Sequence, residues 1–389
     1  RLNASEFVSA RRASHVAHLL SLLAAATLRP PAAARCPPGT MAVRTRANPP
    51  FELCVQIQPH MIDSYMTTDG VYGACNELRN WLLLLHVVLA RSGRPGEGFV
   101  FADVGANIGI CTLQLALLGA SAWGELAGAW SNVPGELQAL PAVQAVAVEP
   151  DPMHAAMIRA SCALNGLEAA VRVHERAAWR ASGGSVDFQR FEFLNSGMSY
   201  VPAEGGGLWP GGESPGGLQA HEIAVADSLP KRSHRVPTAT LDELLLPERR
   251  EGRPVVLKVD VEGQEMAALA GARGLLDADL IALVHCEYAA TLRRDGVGRA
   301  DFLRFFLRNR FYLLCLEECA ERYPAFAGRA LHEEDVEAFA GQQEDWAIDV
   351  VAVHRDYFPE DLVPDLQGML RMMATAFAMR PLVRRQQGP

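Results

Sequence analysis

The chain has 389 residues, of which 49% are hydrophobic and 21% charged, so its composition excludes a disordered protein and allows one large core. The formal net charge of −9 offers no general attraction for phosphate backbones, and we expect no nucleic-acid partner. The eight cysteines lack a metal-ligand spacing and several lie in apolar runs, which predicts mostly reduced core thiols, although the close pair Cys315 and Cys319 could form a disulfide in a secreted protein.

Residues 1–50 differ from the rest of the chain. Arginines occur there among Ala, Ser and Pro, and no acid lies between Glu6 and Glu52. The apolar run at 16–28 has the length of a signal-peptide core and is too short to span a bilayer, while the lack of acids is equally typical of an organelle transit peptide. We therefore predict a targeting-like or disordered arm over 1–50, with secretory or organelle targeting or else a cytoplasmic location, and membrane contact only through this arm.

An N-terminal helical segment is predicted at 51–98, with its helix over 76–90. Beyond it, short and nearly continuous apolar runs alternate with helical patterns, which is typical of strands buried on both faces. The predicted strands are 99–104, 143–149, 170–174, 254–260, 280–287, 311–317 and 347–353. The predicted helices are 107–119, 152–165, 263–276 and 300–310. This alternation indicates an α/β fold with a doubly wound, mostly parallel sheet and right-handed crossovers.

Two segments interrupt the alternation within this domain, which we place at 99–358. Residues 121–141 lengthen the first crossover, and residues 202–217 are too rich in Gly and Pro to fold alone. We interpret both as surface insertions. The remainder, 359–389, contains a predicted helix at 366–380 and a basic tail.

The first predicted strand leads directly into a glycine-rich turn, "ADVGANIG". Gly105 lets the backbone turn sharply and lets a ligand approach the main chain, and Gly109 lets the next helix lie against the strand. Amides at a helix start near Asn107 would face a polar or anionic group, while Asp103 could accept a hydrogen bond. Because a carboxylate here would repel the pyrophosphate of a dinucleotide, the turn favours the cationic amino group of an amino-acid moiety.

The second predicted strand ends in an acid, Glu149, at the place where such folds bind the two hydroxyls of a ribose. The insertion at 121–141 explains why Glu149 lies well beyond the roughly 20 residues that usually separate the two motifs. A ligand with an amino-acid end at the turn and a ribose at Glu149 is S-adenosylmethionine (SAM). The alternative is that Asp103 and Glu149 only cap the helices that follow them.

The central strand ends in "KVDVEG", which places Asp260 and Glu262 beside the same turn, since ligands of open α/β sheets bind outside the carboxyl ends of the strands. While the strand persists these two acids point the same way, and their repulsion would raise one pKa and produce a general base toward a hydroxyl. A divalent cation between them and simple helix capping are alternatives, and we assign no metal. The next strand adds His285 and Glu287, although a lone His is more often a core residue.

These motifs resemble those of the FkbM-type methyltransferases, a family of class I SAM-dependent enzymes. The segments "FADVGANIGICT", "AVEPDP", "TATLDELL" and "LKVDVEGQEMAALAGARGLL" occur in the family's order. The resemblance implies a seven-stranded sheet that ends in an antiparallel hairpin, and O-methylation of a hydroxyl on a small-molecule or glycan acceptor. It also implies that SAM is bound around Asp103, Gly105, Asn107, Gly109 and Glu149.

The resemblance extends to "FLNSGMSY", in which Ser199 matches a serine-containing segment near the acceptor side. The long insertions and the N-terminal arm depart from the short bacterial members and leave the acceptor open. Two other functions are alternatives on the sequence. An NAD-dependent dehydrogenase would need a standard glycine pattern, which this chain lacks, and a non-catalytic SAM-binding or scaffold protein would bind SAM without turnover.

Overall fold

The fold is given by a computed structural model. It describes residues 35–47, 50–57, 66, 70, 72–91, 98–120, 143–191, 201, 231–247, 253–288, 297–315, 319, 323–326, 329–341 and 348–358. The apolar run at 16–28, both predicted insertions, Ser199 and the predicted helix at 366–380 lie outside these residues. Among the residues described, no helix combines the length and hydropathy that crossing a membrane requires.

The strands and helices are numbered here in chain order. The strands are β1 (Thr40–Arg44), β2 (Glu52–Gln56), β3 (Phe99–Val104), β4 (Val143–Val148), β5 (Val171–His174), β6 (Ala177–Ala178), β7 (Ser185–Phe191), β8 (Lys231–Ala239), β9 (Val255–Val259), β10 (Ile281–Tyr288), β11 (Phe311–Leu314), β12 (Ala330–Leu331) and β13 (Ile348–His354). The helices are α1 (Gly73–Arg91), α2 (Ile110–Ala120), α3 (Pro152–Asn165), α4 (Leu241–Leu245), α5 (Glu265–Ala270), α6 (Arg273–Asp277), α7 (Arg299–Arg308) and α8 (Val336–Ala340).

Eight strands form the central sheet, in the order β12-β11-β13-β10-β9-β3-β4-β5. From β10 to β5 all neighbours are parallel, whereas β13 is antiparallel to both β10 and β11, and β12 is antiparallel to β11. The sheet is therefore mixed, and it has one strand more than the seven expected, because the two-residue β12 extends its edge. The hairpin of β1 and β2 and the small sheet β6-β8-β7 are absent from the sequence prediction, and β1 falls inside the predicted arm.

Alternate residues of the central strands enter two different apolar clusters. Phe99 and Phe101 pack with α1, α2 and α3 on one face of the sheet. Val100, Ala102 and Val104 pack on the other face with α4 to α8. Because every strand residue of β3 is buried, the strand can carry no polar side chain without a partner, which is why Asp103 stands out. The predicted coverage of both faces by helices is confirmed.

Two predicted helices differ from the structure for local reasons. α2 begins at Ile110 instead of 107, because Asn107 (φ 52°) and Gly109 (φ 85°) adopt left-handed backbone conformations that cannot continue a right-handed helix. The single helix predicted at 263–276 is divided into α5 and α6. The amide of Gly271 donates to the carbonyl of Ala268 at 3.0 Å, a three-residue bond that tightens and ends the first helix.

Six of the eight cysteines form disulfides, so the prediction of mostly reduced thiols is wrong. The bonds are Cys36–Cys54, Cys75–Cys111 and Cys315–Cys319, and the buried thiols Cys162 and Cys286 are free. The first two pairs are separated by 18 and 36 residues and meet only through tertiary structure, which the spacing of cysteines in the sequence does not reveal. Cys75–Cys111 joins α1 to α2.

Candidate functional site

The carboxyl ends of four parallel strands meet at one edge of the sheet. Val104 pairs in register with Val148 on one side and with Val259 on the other. Val259 pairs in turn with Cys286 of β10. The residues at and just after these positions are therefore neighbours in space. They include Asp103 within β3 and the acids Glu149, Asp260, Glu262 and Glu287 after the paired positions.

The glycine turn after β3 is shaped by its neighbours. Gly105 has φ 80°, and a Cβ at this position would overlap the carbonyl oxygen of Asp260, so the turn lies directly against the loop after β9. The amides of Gly105 and Ala106 donate to the carbonyl of Val148 at 2.9 and 3.2 Å. These two amides are therefore satisfied within the protein, and the amide of Asn107 is likewise satisfied by Glu149.

The structural reason for a glycine at position 109 also differs from the expected one. A Cβ there would lie 2.8 Å from a side-chain carbon of Ile158, on α3, so the residue allows α3 to pack close to the turn. The sequence instead predicts contact between the following helix and the strand before it as the reason for this glycine.

Asp103 is buried, with 1% of its surface exposed, and its two carboxylate oxygens have different surroundings. Oδ2 accepts hydrogen bonds from the amide of Thr112 at 3.0 Å and from its hydroxyl at 2.7 Å, which ties the first turn of α2 to β3. Oδ1 accepts no hydrogen bond and lies 3.7 Å from the ammonium of Lys258. One oxygen therefore fixes the helix, as the capping alternative proposes, and the other is available on the site side.

Glu149 joins the second strand to the glycine turn. Its Oε2 accepts a hydrogen bond from the amide of Asn107 at 2.7 Å, and its Oε1 accepts one from the amide of Asp151 at 2.8 Å. The N-cap of α3 is Asp151, which accepts from the amide of Met153, so Glu149 does not cap that helix itself. Burial opposes a charge on His154, but the hydrogen bond to Glu149 and the nearby acids outweigh it and raise the pKa of His154.

The residues present fit SAM. Asp103 Oδ1 and Asn107 Oδ1 are buried acceptors that have no hydrogen-bond partner in the described part of the chain, and buried acceptors of this kind are costly unless a ligand supplies donors. An ammonium group supplies such donors. The oxygens of Glu149 each receive one backbone amide and retain a second lone pair, which suits a pair of hydroxyl donors.

Lys258 is a site residue that the sequence analysis misses. It pairs in register with Asp103 on the neighbouring strand, and its ammonium lies 2.9 Å from Asp260 Oδ2. Burial opposes the charge of Lys258, but Asp260 and Asp103 outweigh it, so its pKa is raised. The signal is visible in "VVLKVD", since a lysine inside an otherwise apolar buried strand must be paired with acids.

Asp260 and Glu262 do not share a strand face. β9 ends at Val259, and Glu262 (φ 56°) and Gly263 (φ 95°) turn the backbone away from the strand direction. The strand ends before either acid, so the alternation that would point both the same way does not extend to them. Asp260 instead points back to Lys258.

Glu265 holds this loop together. Its Oε1 accepts hydrogen bonds from the amides of Val261 at 3.2 Å and of Gly263 at 3.0 Å. Burial raises the pKa of Glu265 to about 7, although the backbone donors oppose the shift.

A cavity of about 130 Å³ opens beside Asp260. It is lined by Tyr72, Ala74, Lys258, Val259, Asp260, His285, Glu287, Ile348 and Asp349. Its volume is below the roughly 300 to 1,000 Å³ of a whole small-molecule site, so it suits the reacting end of an acceptor. Five of its side chains can carry a charge near neutral pH.

The lining of the cavity also includes His285 and the acids Glu287 and Asp349. His285 is 1% exposed, and its Nε2 lies 3.8 Å from Glu77 Oε2 and 3.9 Å from Asp349 Oδ2. Burial opposes a charge on His285, but Asp349 and Glu77 outweigh it and raise its pKa. Burial and the surrounding carboxylates Glu262 and Asp260 raise the pKa of Glu287 well above its ordinary value.

A second cluster lies at the opposite edge, where the parallel strands begin. Asp279, His354 and Asp356 have ligand atoms close enough together to hold a metal ion. Arg310 already bridges the two acids, at 2.7 Å from Asp279 and 2.6 Å from Asp356, and His354 contacts Asp279 at 3.0 Å. This cluster is a salt-bridge network that joins the start of β10 to the end of β13.

Comparison with known proteins was made at three levels. No curated protein matches the sequence. A solved structure of a proposed RNA methyltransferase, PH1948 from Pyrococcus horikoshii, aligns at 13% identity and a TM-score of 0.22, over 60% of this chain and 72% of that chain. That score is too low to support a conclusion.

The sequence itself matches the methyltransferase FkbM domain over residues 103–314, more than half of the chain. The match begins at Asp103 in the glycine turn and ends in β11, so it contains both carboxyl-edge acids of β3 and β4 and all of β9 and β10. The chain belongs to the FkbM methyltransferase family.

Proposed function

We propose that the protein is a class I SAM-dependent methyltransferase that transfers a methyl group to a hydroxyl of a small molecule or glycan. The observation that carries the proposal is the pair of acids Asp103 and Glu149 at adjacent strand ends. Asp103 Oδ1 is a buried acceptor without a hydrogen-bond partner in the described residues, and Glu149 fixes the turn between them by accepting a hydrogen bond from the Asn107 amide. The strand order from β5 to β11, with its antiparallel β13, supports the class I assignment.

The cofactor supplies a methyl group made electrophilic by a sulfonium. On our proposal, Asp103 Oδ1 and Asn107 Oδ1 accept hydrogen bonds from its ammonium group, and Glu149 accepts hydrogen bonds from its ribose hydroxyls. Gly105 keeps the turn free of a side chain that would displace Asp260. These residues act by alignment, which is the main contribution a protein makes to a displacement of this kind.

The acceptor is placed in the cavity beside Asp260. Asp260 and Glu262 remain our candidates for orienting the acceptor hydroxyl, with Asp260 held in place by Lys258 at 2.9 Å. The charged lining of the cavity supports a polar, hydroxyl-rich acceptor over an aromatic one, because an apolar ring would leave these groups unpaired. Asp260→Asn tests this role: turnover equal to that of the wild type would exclude Asp260 as the residue that orients the hydroxyl.

Cofactor binding is tested by calorimetric titration with SAM, with NAD as the competing ligand. We expect SAM to bind the wild-type chain and Glu149→Gln to weaken its affinity by about 100-fold, since one lost charged hydrogen-bond acceptor corresponds to roughly 1.5 to 3 kcal/mol. Glu337→Gln, on exposed α8, is the matched control and should leave the affinity unchanged. Affinity for NAD alone, or equal SAM affinity in Glu149→Gln, would contradict the proposed site.

The reaction is tested by incubating the protein with methyl-labelled SAM and fractionated extract and identifying the labelled product. A label that resists base hydrolysis, as an ether does, supports transfer to a hydroxyl. A label on nitrogen, sulfur or a carboxyl ester would correct the acceptor class. SAM binding without transfer to any fraction would favour the non-catalytic scaffold alternative.

We also propose that the chain matures in an oxidising compartment. Three disulfides support this, because such bonds are rare where cellular thiols are kept reduced. Thiol titration of the denatured, unreduced protein should find the two free cysteines, Cys162 and Cys286. Eight reactive thiols in protein isolated from its native source would overturn the proposal.

A further inference from the structure

Three carboxylates lie side by side on neighbouring strands at the acceptor cavity. Glu287 pairs in register with Asp349 of β13, and its predecessor Cys286 pairs with Val259, so Glu287 lies next to Asp260. All three acids line the same cavity. Glu287 is therefore the central carboxylate of the row.

The two outer carboxylates have cations and the central one does not. Asp260 is paired with Lys258 at 2.9 Å, and Asp349 faces His285 at 3.9 Å. Glu287 forms no ion pair within the described ranges, and its Oε2 is buried without a hydrogen-bond partner there. The neighbouring carboxylates disfavour ionisation of Glu287, and one further positive charge beside it would offset their repulsion.

A second group also points into this cavity without a hydrogen bond. His285 is almost fully buried, and its Nε2 has no hydrogen-bond partner in the part of the chain that the structure covers. His285 Nε2 nevertheless faces the carboxylates of Glu77 and Asp349 at 3.8 and 3.9 Å, so the buried atom of the cavity wall that indicates a place for a polar ligand group is Glu287 Oε2.

The cofactor turn is close to Glu287. The site of a Gly105 Cβ is occupied by the carbonyl oxygen of Asp260, and Asp260 is the strand neighbour of Glu287. Lys258 also connects Asp103 of the turn to Asp260. A positive charge bound at the turn would therefore be separated from Glu287 by Asp260 alone, close enough to favour the ionised form of Glu287.

We propose that Glu287 takes up the proton of the acceptor hydroxyl, and that Glu287 is ionised for this step by the positive charge of bound cofactor. This inference rests on the proposed SAM-dependent function. Glu287 Oε2 takes the hydroxyl proton as the hydroxyl oxygen forms its bond to the methyl carbon, and the electrons of the carbon–sulfur bond stay on sulfur. The charge of the site is conserved, because one carboxylate is neutralised as one sulfonium charge is lost.

The direction of the pH dependence follows from linkage. Burial and neighbouring acids raise the pKa of Glu287, which favours its protonated form in the free protein, whereas a bound cation favours the ionised form. By reciprocity, ionised Glu287 binds the cation more tightly, so SAM affinity rises with pH. The titratable and charged groups that surround Glu287 are Tyr72 and Glu77 at the start of the α1 region, Lys258, Asp260 and Glu262 around the end of β9, Glu265 on α5, His285 on β10 and Asp349 on β13.

Proton release on SAM binding tests the inference without knowledge of the acceptor. SAM is titrated into the full chain near neutral pH in buffers of different ionisation enthalpy, and the slope of the observed enthalpy gives the protons released. We expect a clear release for the wild type, loss of most of it in Glu287→Gln, and its partial return in Glu287→Asp. The same titration with S-adenosylhomocysteine, whose sulfur is uncharged, should release much less.

Two further variants distinguish Glu287 from other sources of the proton. Glu265 also has a raised pKa, to about 7, so Glu265→Gln should retain the release if Glu287 is its source. Glu337→Gln, exposed on α8, should behave as the wild type. Because Gln has the shape of a protonated Glu, Glu287→Gln should fold and bind SAM.

The outcomes separate this inference from the proposed function. Proton release that disappears in Glu287→Gln and persists in Glu265→Gln supports the inference. SAM binding with no release, or with a release unchanged in Glu287→Gln, overturns the inference and leaves the proposed function intact. Failure of the wild type to bind SAM overturns both.

Discussion

The acids at the two halves of the carboxyl edge are supported in opposite ways. At the ends of β3 and β4, Asp103 and Glu149 accept hydrogen bonds from the backbone amides of Thr112, Asn107 and Asp151. At the ends of β9 and β10 and the start of β13, three acids lie side by side along a cavity, and the outer two face the cationic side chains of Lys258 and His285.

This difference teaches how one sheet edge can hold acids for two purposes. A carboxylate that receives backbone amides is fixed in place, which suits recognition of a ligand. A carboxylate crowded by other acids changes its protonation readily, which suits proton transfer. Glu149 and Glu287 represent these two cases.

The largest expected effect comes from Glu149→Gln, which tests the carboxylates that backbone amides support. Glu149→Gln sets its amide nitrogen against at least one of the backbone amides of Asn107 and Asp151, because the side chain retains only one carbonyl oxygen. A buried donor left without an acceptor costs about 1 to 3 kcal/mol, so the free energy of unfolding should fall by that amount in urea denaturation. A variant as stable as the wild type would show that these amides find other acceptors.

Gly105→Ala should have an effect of similar size for a steric reason. The left-handed φ of 80° is strained for alanine, and the added Cβ would meet the carbonyl oxygen of Asp260. We expect a loss of about 2 to 3 kcal/mol of unfolding free energy, together with loss of SAM binding. Gly166→Ala is the matched control, since Gly166 has φ 68° with open space around it, and it should lose only about 1 kcal/mol. Equal losses in the two variants would show that the contact with Asp260 is unimportant.

Thr112→Val tests the role of Asp103 by removing one of the two hydrogen-bond donors to its Oδ2. The hydroxyl bond of 2.7 Å is lost while the amide bond of 3.0 Å remains, so thermal denaturation should show a loss of about 1 kcal/mol. SAM affinity should change little, because Oδ1 of Asp103 keeps its position. A large loss of affinity with unchanged stability would assign Oδ2 to the ligand instead.

The smallest expected effect is a gain in stability, and it comes from Glu287→Gln. In the folded chain the pKa of Glu287 is raised from its ordinary value of 4.5, so above that pH folding requires uptake of a proton and the free energy of unfolding declines as pH rises. Glu287→Gln removes this requirement and should stabilise the ligand-free protein by about 1 kcal/mol at neutral pH, with no gain below about pH 4. Urea denaturation at both pH values measures it, and destabilisation at neutral pH would contradict a protonated Glu287.

The sequence predicts those features that repeat a local pattern. The apolar runs of β3, β4, β9 and β10 locate the sheet, and the turn residues Asp103 and Gly105 locate its binding edge, since each depends only on neighbours in the chain. The strand β12 is not predicted, because two residues carry too little periodicity, and the hairpin of β1 and β2 is not predicted, because β1 is largely exposed and lacks the continuous apolar run of a buried strand.

The parts of the site that the sequence misses depend on contacts between strands. Lys258 acquires its function from Asp103, its partner in register on β3, and Glu287 from Asp260 and Asp349 on either side. Asp260 and Glu262 follow the end of the central strand as expected, but the left-handed backbone at Glu262 removes them from the strand pattern on which the sequence argument depends. Register and backbone turns of this kind are tertiary properties.

The first turn of α2 is anchored at two consecutive residues, Cys111 by a disulfide to α1 and Thr112 by two hydrogen bonds to β3. The loop that precedes it is consequently held from both ends before any ligand arrives. A molecule that docks here meets a preorganised surface, so little of its binding free energy is spent on ordering the chain, and tight binding is compatible with a small contact area.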